Sequence, residues 1–562
     1  MMSTAERLLR QLGRRGVPYL FGNAGTDAAP LIEAYARCEA DGATVPEPVL
    51  ATHENLALSM AHGYAMVSGK LPAAFVHVSV GTANAACAIM NAARENVPIL
   101  MTAGRTPIYE DETTGSRDSY IHWGQEMFDQ ASLVREFVKW EYELRGGNQV
   151  DTVVDRAASI ALSEPKGPVY LTLPREVLAE PYSGANEAPP PLAAALPPEP
   201  NAQGVAEAAR ILAGAERPLI VAGNCGRDRE AFEKLSAFAE RFAIPVVQHR
   251  SRYLPLPSDH PMHLGFDPAA FVGDADAILV LEADVPWVPK RSPLKPGCKA
   301  VHVGHDPLFG RIPIRGFQCD LALVSGTAAM LDTLTAKMEG AGSEEQTAAR
   351  RAWVADERRK LLEKRAKTLA TLRNARPIHP AWVSHCLSQA KDDRTIAINE
   401  YTLMPDYCDF REAGTYFGSS SASGLGWGMG AALGAKLAEP DRLVVCVQGD
   451  GAYLFSNPVA GHYASSHHKL PVLFVVVNNG MWNAVRAATL TVYPDGAASA
   501  SNRNVLTMLD GLPAFEDVCR AAGGYGERVE DPEALPGAIE RALHAVKVEG
   551  RQALLNIISQ PR

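Results

Sequence analysis

The chain has 562 residues, with 54 basic against 64 acidic side chains for a net charge of −10, and 47% of it is hydrophobic. That composition excludes wholesale disorder, and at roughly 100–200 residues per domain the length predicts about three to five domains. No basic stripe interleaved with aromatics offers a nucleic-acid footprint, and the apolar run Val472 to Val477 is a strand's length, far short of a membrane span.

In chain order, MMSTAERLLRQLGRRG reads as an amphipathic helix without the apolar core and cleavage site of a signal peptide. Short apolar runs then alternate with longer amphipathic segments. The first block offers AAFVHVSV, VPILMTAG and GPVYLTLP, and the second offers RPLIVAG, AIPVVQ, DAILVLEA and KAVHVG. The last offers TIAINE, RLVVCVQGDG, LPVLFVVVNN and QALLNIIS. Strands written as continuous Val/Ile/Leu runs between helices belong to parallel sheets covered on both faces. Residues 181–200 hold seven prolines and read as an exposed linker, while 339–376 turns densely charged at helical spacing and reads as a helical connector. The expectation is an α/β protein of three doubly wound parallel-sheet domains. They span 1–182, 201–338 and 376–562, with linkers 183–200 and 339–375 and a similar layout in the first and last. Nine cysteines without a CxxC pair suit reduced thiols and a cytoplasmic location.

The most informative segment joins two of these strands. RLVVCVQ runs into Gly449-Asp450-Gly451, and 26 residues further on LPVLFVVV ends in Asn478-Asn479-Gly480. Parallel strands present their carboxyl ends along one rim, so both clusters face one crevice. Glycines there let the backbone approach a phosphate, and Asp450 with an asparagine side chain supplies the hard oxygens that Mg²⁺ prefers. Either cluster alone is an ordinary turn. Together they resemble the GDG-to-NN motif of the thiamine diphosphate (ThDP) enzymes. INEYT (398–402) and SGLGWGMGAALGAKLAEP (423–440) resemble the same domain of benzoylformate decarboxylase and acetolactate synthase.

The resemblance implies a pyrimidine-binding first domain, a central domain and a diphosphate-binding last domain. It implies Asp450, the Asn479 side chain and the Met481 carbonyl as Mg²⁺ ligands. Glu400, Tyr401, Thr402, Gly424, Gly449 and Gly451 would surround the cofactor, with Leu425 beneath it forcing a bent shape. In the first block, ATHENLALSMAHGYAMVSGK carries His-Glu-Asn at 53–55. Alone, Glu54 is a first-turn glutamate complementing a helix dipole. Within the family the motif supplies the glutamate that bonds the pyrimidine ring and makes the cofactor's amino group a base, which makes Glu54 catalytic. Family members join the first domain of one subunit to the last of its partner, so a homodimer is implied, or a homotetramer.

Substrate-side residues come from the same comparison. FGNAGTDAAP (21–30) resembles a decarboxylase loop bearing a substrate-contacting serine, with Thr26 in its place; a helix N-cap is the alternative. VHVSVGTAN sets Ser79 near the place of a relay histidine, and His77, two positions earlier on the same strand face, is the substitute. A lone strand histidine is otherwise an ordinary core residue. The middle-domain loop EADVPWVPKRSPLKPG holds no second histidine. SYIHWGQEMFDQASLVREFVKW (119–140) resembles an acetolactate synthase and oxalyl-CoA decarboxylase segment and makes Gln125 a candidate, with Glu126 behind it. Trp482, Ala484 and Ala488 fall at pocket positions.

Missing relays favour an acetolactate synthase-like reaction, in which a 2-oxo acid is decarboxylated and joined to a second carbonyl. The alternatives are a non-oxidative decarboxylase of the benzoylformate decarboxylase type, or a 2-hydroxyacyl lyase. The partners expected are small molecules, a 2-oxo acid and a carbonyl acceptor, with neither nucleic acid nor membrane. Acetolactate synthases often carry FAD in the central domain, and FAD, ADP or nothing all stay open here because no motif in 201–338 supports assigning one. An NAD-linked dehydrogenase would need GxGxxG after a strand, whereas GLGWGMG (424–430) precedes one.

Overall fold

The computed structural model describes residues 2–184, 190–250 and 252–561, so residues 185–189 of the expected linker lie outside the described residues. The described strands form three parallel sheets. The first contains β1 (Tyr19–Gly22), β2 (Glu47–Leu50), β3 (Ala73–Val76), β4 (Leu100–Arg105), β5 (Glu141–Glu143) and β6 (Val169–Pro174), in the order β2-β1-β3-β4-β6-β5. The middle sheet contains β7 (Pro218–Ala222), β8 (Val246–Gln248), β9 (Ala277–Leu281), β10 (Lys299–Gly304) and β11 (Leu321–Val324), in the order β11-β10-β9-β7-β8. The last contains β12 (Ile396–Glu400), β13 (Tyr416–Gly418), β14 (Val444–Gly449), β15 (Leu473–Asn478), β16 (Tyr525–Val529) and β17 (Ala553–Ile558), in the order β13-β12-β14-β15-β17-β16.

Counted from its own first strand, the last sheet repeats the order of the first. Each therefore has a switch point between its first and third strands, where an open α/β sheet binds ligands beyond its carboxyl ends. Central strands such as β3, β15 and β7 are buried along their whole length, the consequence of helices on both faces.

Two helices lock the first and last sheets together. Glu54–Ser68 follows β2, and Trp427–Ala438 lies between β13 and β14. They meet at Gly63, Gly430 and Gly434, where a Cβ would run into Ala431, Ser59 and the Met60 carbonyl respectively. Only glycine lets the backbones approach this closely. Leu56, Met60, Trp427, Met429 and Leu433 share one apolar core there. The connector to the last domain is the helix Glu344–Leu372, a mostly exposed rod whose buried Arg350 donates to the carbonyls of Leu212 and Ala213, both at 3.0 Å. No helix among the described residues is long and apolar enough to cross a membrane.

The expected strand AAFVHVSV is shorter than its apolar pattern. β3 ends at Val76, His77 occupies the N-cap position, and a helix runs over Val78–Arg94. His77 and Ser79 therefore do not share a strand face, because the small residues that follow favour a helix over further extension.

Candidate active site

At the carboxyl end of β14, Asp450 opens the short helix Asp450–Phe455 and is 3% exposed. One carboxylate oxygen accepts from Gly451 N–H at 2.8 Å and the other from Gly480 N–H at 2.7 Å, tying the GDG turn to the Asn-Asn-Gly turn. Asn479 Oδ1 accepts from Met481 N–H at 3.0 Å, and the Met481 carbonyl accepts from Asn483 N–H at 3.0 Å. Behind them Asn478 donates to Asn556 at 3.1 Å, and Asn556 donates to Glu516 at 2.7 Å, a buried chain that fixes the second turn. Burial pushes the Asp450 carboxyl above its usual range against the pull of the surrounding N–H groups, a balance a bound cation would reverse. A Cβ at Gly451 would strike the Trp482 ring, which stands edge-on to Phe455. Hard oxygens and missing Cβ atoms fit a magnesium-bound diphosphate.

Glu400, at the end of β12, is wholly enclosed. Its carboxylate accepts from the N–H groups of Gly426 (2.8 Å), Trp427 (3.3 Å) and Gly428 (2.8 Å). Burial pushes its carboxyl up to about 7 in spite of those three donors. Glu400 thus builds the start of the Trp427–Ala438 helix, with both carboxylate oxygens engaged. Tyr401 adopts φ +79°, and the Thr402 methyl packs on Gly449. Gly424 is clamped from the first domain, its carbonyl accepting from Asn91 Nδ2 at 2.9 Å and its N–H donating to Asn91 Oδ1 at 3.1 Å. Leu425 follows, half-buried in the loop between Gly424 and Gly426.

On the first sheet, His53 caps the helix that Glu54 opens, its Nδ1 accepting from Asn55 N–H at 3.1 Å. Glu54 is 6% exposed and accepts from Asn23 at 3.2 Å and Asn84 at 3.1 Å. A Cβ at Gly81 would press on its Oε1. Among the described residues no ion pair involves Glu54, whose carboxylate is held by the two asparagines alone.

Beside Glu54, at the switch point, His77 Nδ1 lies 2.6 Å from Asp27 Oδ1, and Asp27 Oδ2 accepts from Val78 N–H at 3.3 Å. The hydrogen bond to Asp27 raises the His77 pKa above its usual value, helped by the charges of Asp27 and Glu54 and opposed by burial. Gln125 Nε2 stands 3.2 Å from His77 Nε2. Glu126 turns away, paired with Arg105 at 2.6 Å and Arg117 at 2.5 Å.

The other sequence-derived positions divide. Ser79 Oγ donates to the Gln125 carbonyl at 2.7 Å and so holds the Gln125 segment against the site. Thr26 is exposed and opens the 3-10 turn Thr26–Ala28; Gly25 holds the cap position, so the N-cap reading is corrected. Ala484 and Ala488 lie on the exposed helix Asn483–Val492, which has no buried residue in the single chain. Asn23, Asp27, Asn84 and Asn91 were not singled out from the sequence. The signal available for Asp27 was its place in the same loop as Thr26.

The middle sheet has its switch point between β7 and β9. Arg227 there pairs with Glu164 at 2.9 Å and Glu282 at 3.5 Å, and Thr327 donates to Glu282 at 2.6 Å. The cavity left between the first and middle domains is about 240 Å³, below the roughly 300–1,000 Å³ of ordinary ligand pockets. Its lining mixes Arg94, Lys139, Lys166, Arg227 and Arg311 with Glu95, Glu136, Glu282 and Asp306, and no residue of it assigns a nucleotide.

Three family profiles match the chain. Thiamine pyrophosphate enzyme, N-terminal TPP binding domain, covers residues 2–133; the central domain covers 205–334; the C-terminal TPP binding domain covers 399–556. A benzoylformate decarboxylase of Pseudomonas aeruginosa is 28% identical, spanning 95% of this chain and 95% of its own length. An acetolactate synthase large subunit of Haemophilus influenzae is 24% identical, spanning 96% of this chain and 92% of its own length. The solved thiamine diphosphate-dependent 4-hydroxybenzoylformate decarboxylase of Rhodococcus jostii RHA1 shares the fold, with a TM-score of 0.78 at 22% identity, covering 100% of this chain and 99% of that one. The glycine-lined Asp450 crevice, the buried Glu54 and profiles spanning all three sheets lead to one conclusion: the chain belongs to the thiamine pyrophosphate enzyme family, in its decarboxylase and acetolactate synthase group.

Proposed function

We propose that this protein is a Mg²⁺- and ThDP-dependent 2-oxo acid decarboxylase whose main product is an aldehyde. The observation that carries this reading is His77, held by Asp27 at the end of β3 beside the Glu54 pocket. When bound, thiamine diphosphate supplies a carbon nucleophile for the 2-oxo carbonyl and an electron sink for the pair released with CO₂. Asp450, Asn479 and Met481 would hold the magnesium, and Leu425 would support the cofactor from below. Glu54 would present its carboxylate to the pyrimidine ring. His77 would hold a proton at Nε2 for the carbon that has lost CO₂, the proton that an aldehyde product carries there. Without that donor the same carbon is left to attack a second carbonyl, which is the carboligation expected when no relay is present. The sequence-based preference for an acetolactate synthase-like reaction rests on the missing relays, and the hydrogen bond between His77 and Asp27 supports the decarboxylase alternative instead.

The small, exposed Ala484 and Ala488 leave room for a bulky acyl group, so aromatic or long-chain 2-oxo acids are the substrates of choice. A dimer is proposed as the working form. Its support is the exposed apolar cluster on the Gln125 segment, where Phe128 is 111%, Tyr120 88% and Trp123 54% exposed.

The test is His77→Ala with ThDP, Mg²⁺ and a panel of 2-oxo acids. Aldehyde release is expected to fall about 10²-fold or more, with cofactor binding unchanged. Undiminished aldehyde release in the variant would overturn the reading.

A further inference from the structure

We propose that Asp27 is the positioning residue of this site: it fixes His77 through Nδ1, leaves Nε2 free of Asp27 and within reach of Gln125, and balances the charge of the ring that carries the proton. The inference rests on the decarboxylase reading for its consequence, but its geometry stands alone. Asp27 is 4% exposed, and its two oxygens engage the same turn, one at His77 Nδ1 (2.6 Å) and one at Val78 N–H (3.3 Å). Val78 adopts φ +33°, a conformation that β-branched residues rarely take, so Asp27 braces a strained turn as well as a ring. Room for the pair is cut by two glycines: a Cβ at Gly104 would strike the Asp27 carboxylate, and one at Gly25 would strike the His77 ring.

The charged groups facing the ring are Asp27, from the 3-10 turn Thr26–Ala28, and Glu54, from its helix; both are acidic and favour the cationic ring. The remaining neighbour, Gln125, is neutral and suits both protonation states. Its amide nitrogen lies 3.2 Å from His77 Nε2 and can donate to the neutral ring. Its Oε1 is buried without a partner, and half a turn of the amide brings that oxygen round to accept from the protonated ring. An amide at this place follows the ring through proton loss and recovery without leaving either form unsatisfied.

The test labels the histidine Cε1 positions with ¹³C in cofactor-loaded protein, assigns the His77 signal with His77→Gln, and titrates it in wild type and Asp27→Asn. The wild-type ring is expected to titrate above the ordinary histidine value of 6.5, and Asp27→Asn to lower that midpoint. Aldehyde release by the variant at pH 7 is expected to fall about tenfold, with KM changed less than kcat and activity partly recovered at lower pH. A wild-type midpoint at or below 6.5, or one unmoved by the substitution, overturns the proposal. If Asp27→Asn does not fold, the wild-type midpoint still decides. A ring that titrates as expected in a protein releasing no aldehyde would sink the decarboxylase reading and leave the Asp27–His77 pair standing.

Discussion

The first and last sheets share one strand order, yet the crevices at their switch points hold opposite kinds of chemistry. His77 follows the third strand of the first sheet directly, and Asp450 follows the third strand of the last in the same way. In the first crevice side chains supply the hydrogen bonds, Asp27 and Gln125 to the His77 ring and Asn23 and Asn84 to Glu54. Around Asp450 the donors are mostly backbone N–H groups, set among glycines. Asp27, Glu54 and His77 can titrate and backbone amides cannot, so under the proposed function the first crevice would move protons and the last would hold an anion and its cation. One frame, used twice, separates anchoring from reaction.

The strongest way to break this contrast is Glu54→Gln. It keeps the shape of the first crevice and removes its proton-sharing carboxylate, and turnover is expected to fall about 10²–10⁴-fold. Steady-state kinetics at saturating cofactor measure it. Asp450→Ala probes the other side. Magnesium-dependent ThDP binding is expected to weaken by more than about 100-fold, as it would on chelation with EDTA. Trp482, packed on Gly451, should report binding through its fluorescence.

The contrast also requires that the two sheets be held rigidly. Gly434→Ala would drive a Cβ into the Met60 carbonyl, a backbone atom that cannot swing aside. A loss of about 1–3 kcal/mol is expected in urea titrations. The smallest effect is on the pH dependence of stability. His77 has a raised pKa in the folded chain, so the stabilisation from its pairing with Asp27 is fully present below the ordinary histidine value. It is lost as pH rises through the raised folded value. Wild type and Asp27→Asn should therefore differ most in stability at low pH and converge at high pH.

What the sequence revealed and what it hid follow the same division. The anchoring crevice is built from residues close in sequence: Gly449 to Gly451 and Asn478 to Met481 lie on adjacent strands separated by one helical crossover, and the glycines advertise them. Glu54 was legible through His-Glu-Asn at a strand end. The proton-handling crevice was not, because its pairs are distant in the chain. Asp27 and His77 are 50 residues apart and meet only because β1 lies beside β3. Apolar patterning also carried the expected strand past Val76, which put His77 on a strand face and concealed its place at a helix start. Glu400 is partly hidden in the same way. Its position at a strand end marks a site, but its carboxylate is turned to the N–H groups of Gly426, Trp427 and Gly428.

The central claim is that the first crevice protonates the carbon left by CO₂. Its most direct test is the ratio of aldehyde to CO₂ for wild-type protein with ThDP, Mg²⁺ and an aromatic 2-oxo acid, run with added aldehyde acceptor and with Glu54→Gln as the blank. The account expects one aldehyde for each CO₂, little changed by the acceptor. An acyloin or acetohydroxy acid as the main product, formed equally well by His77→Ala, would contradict it.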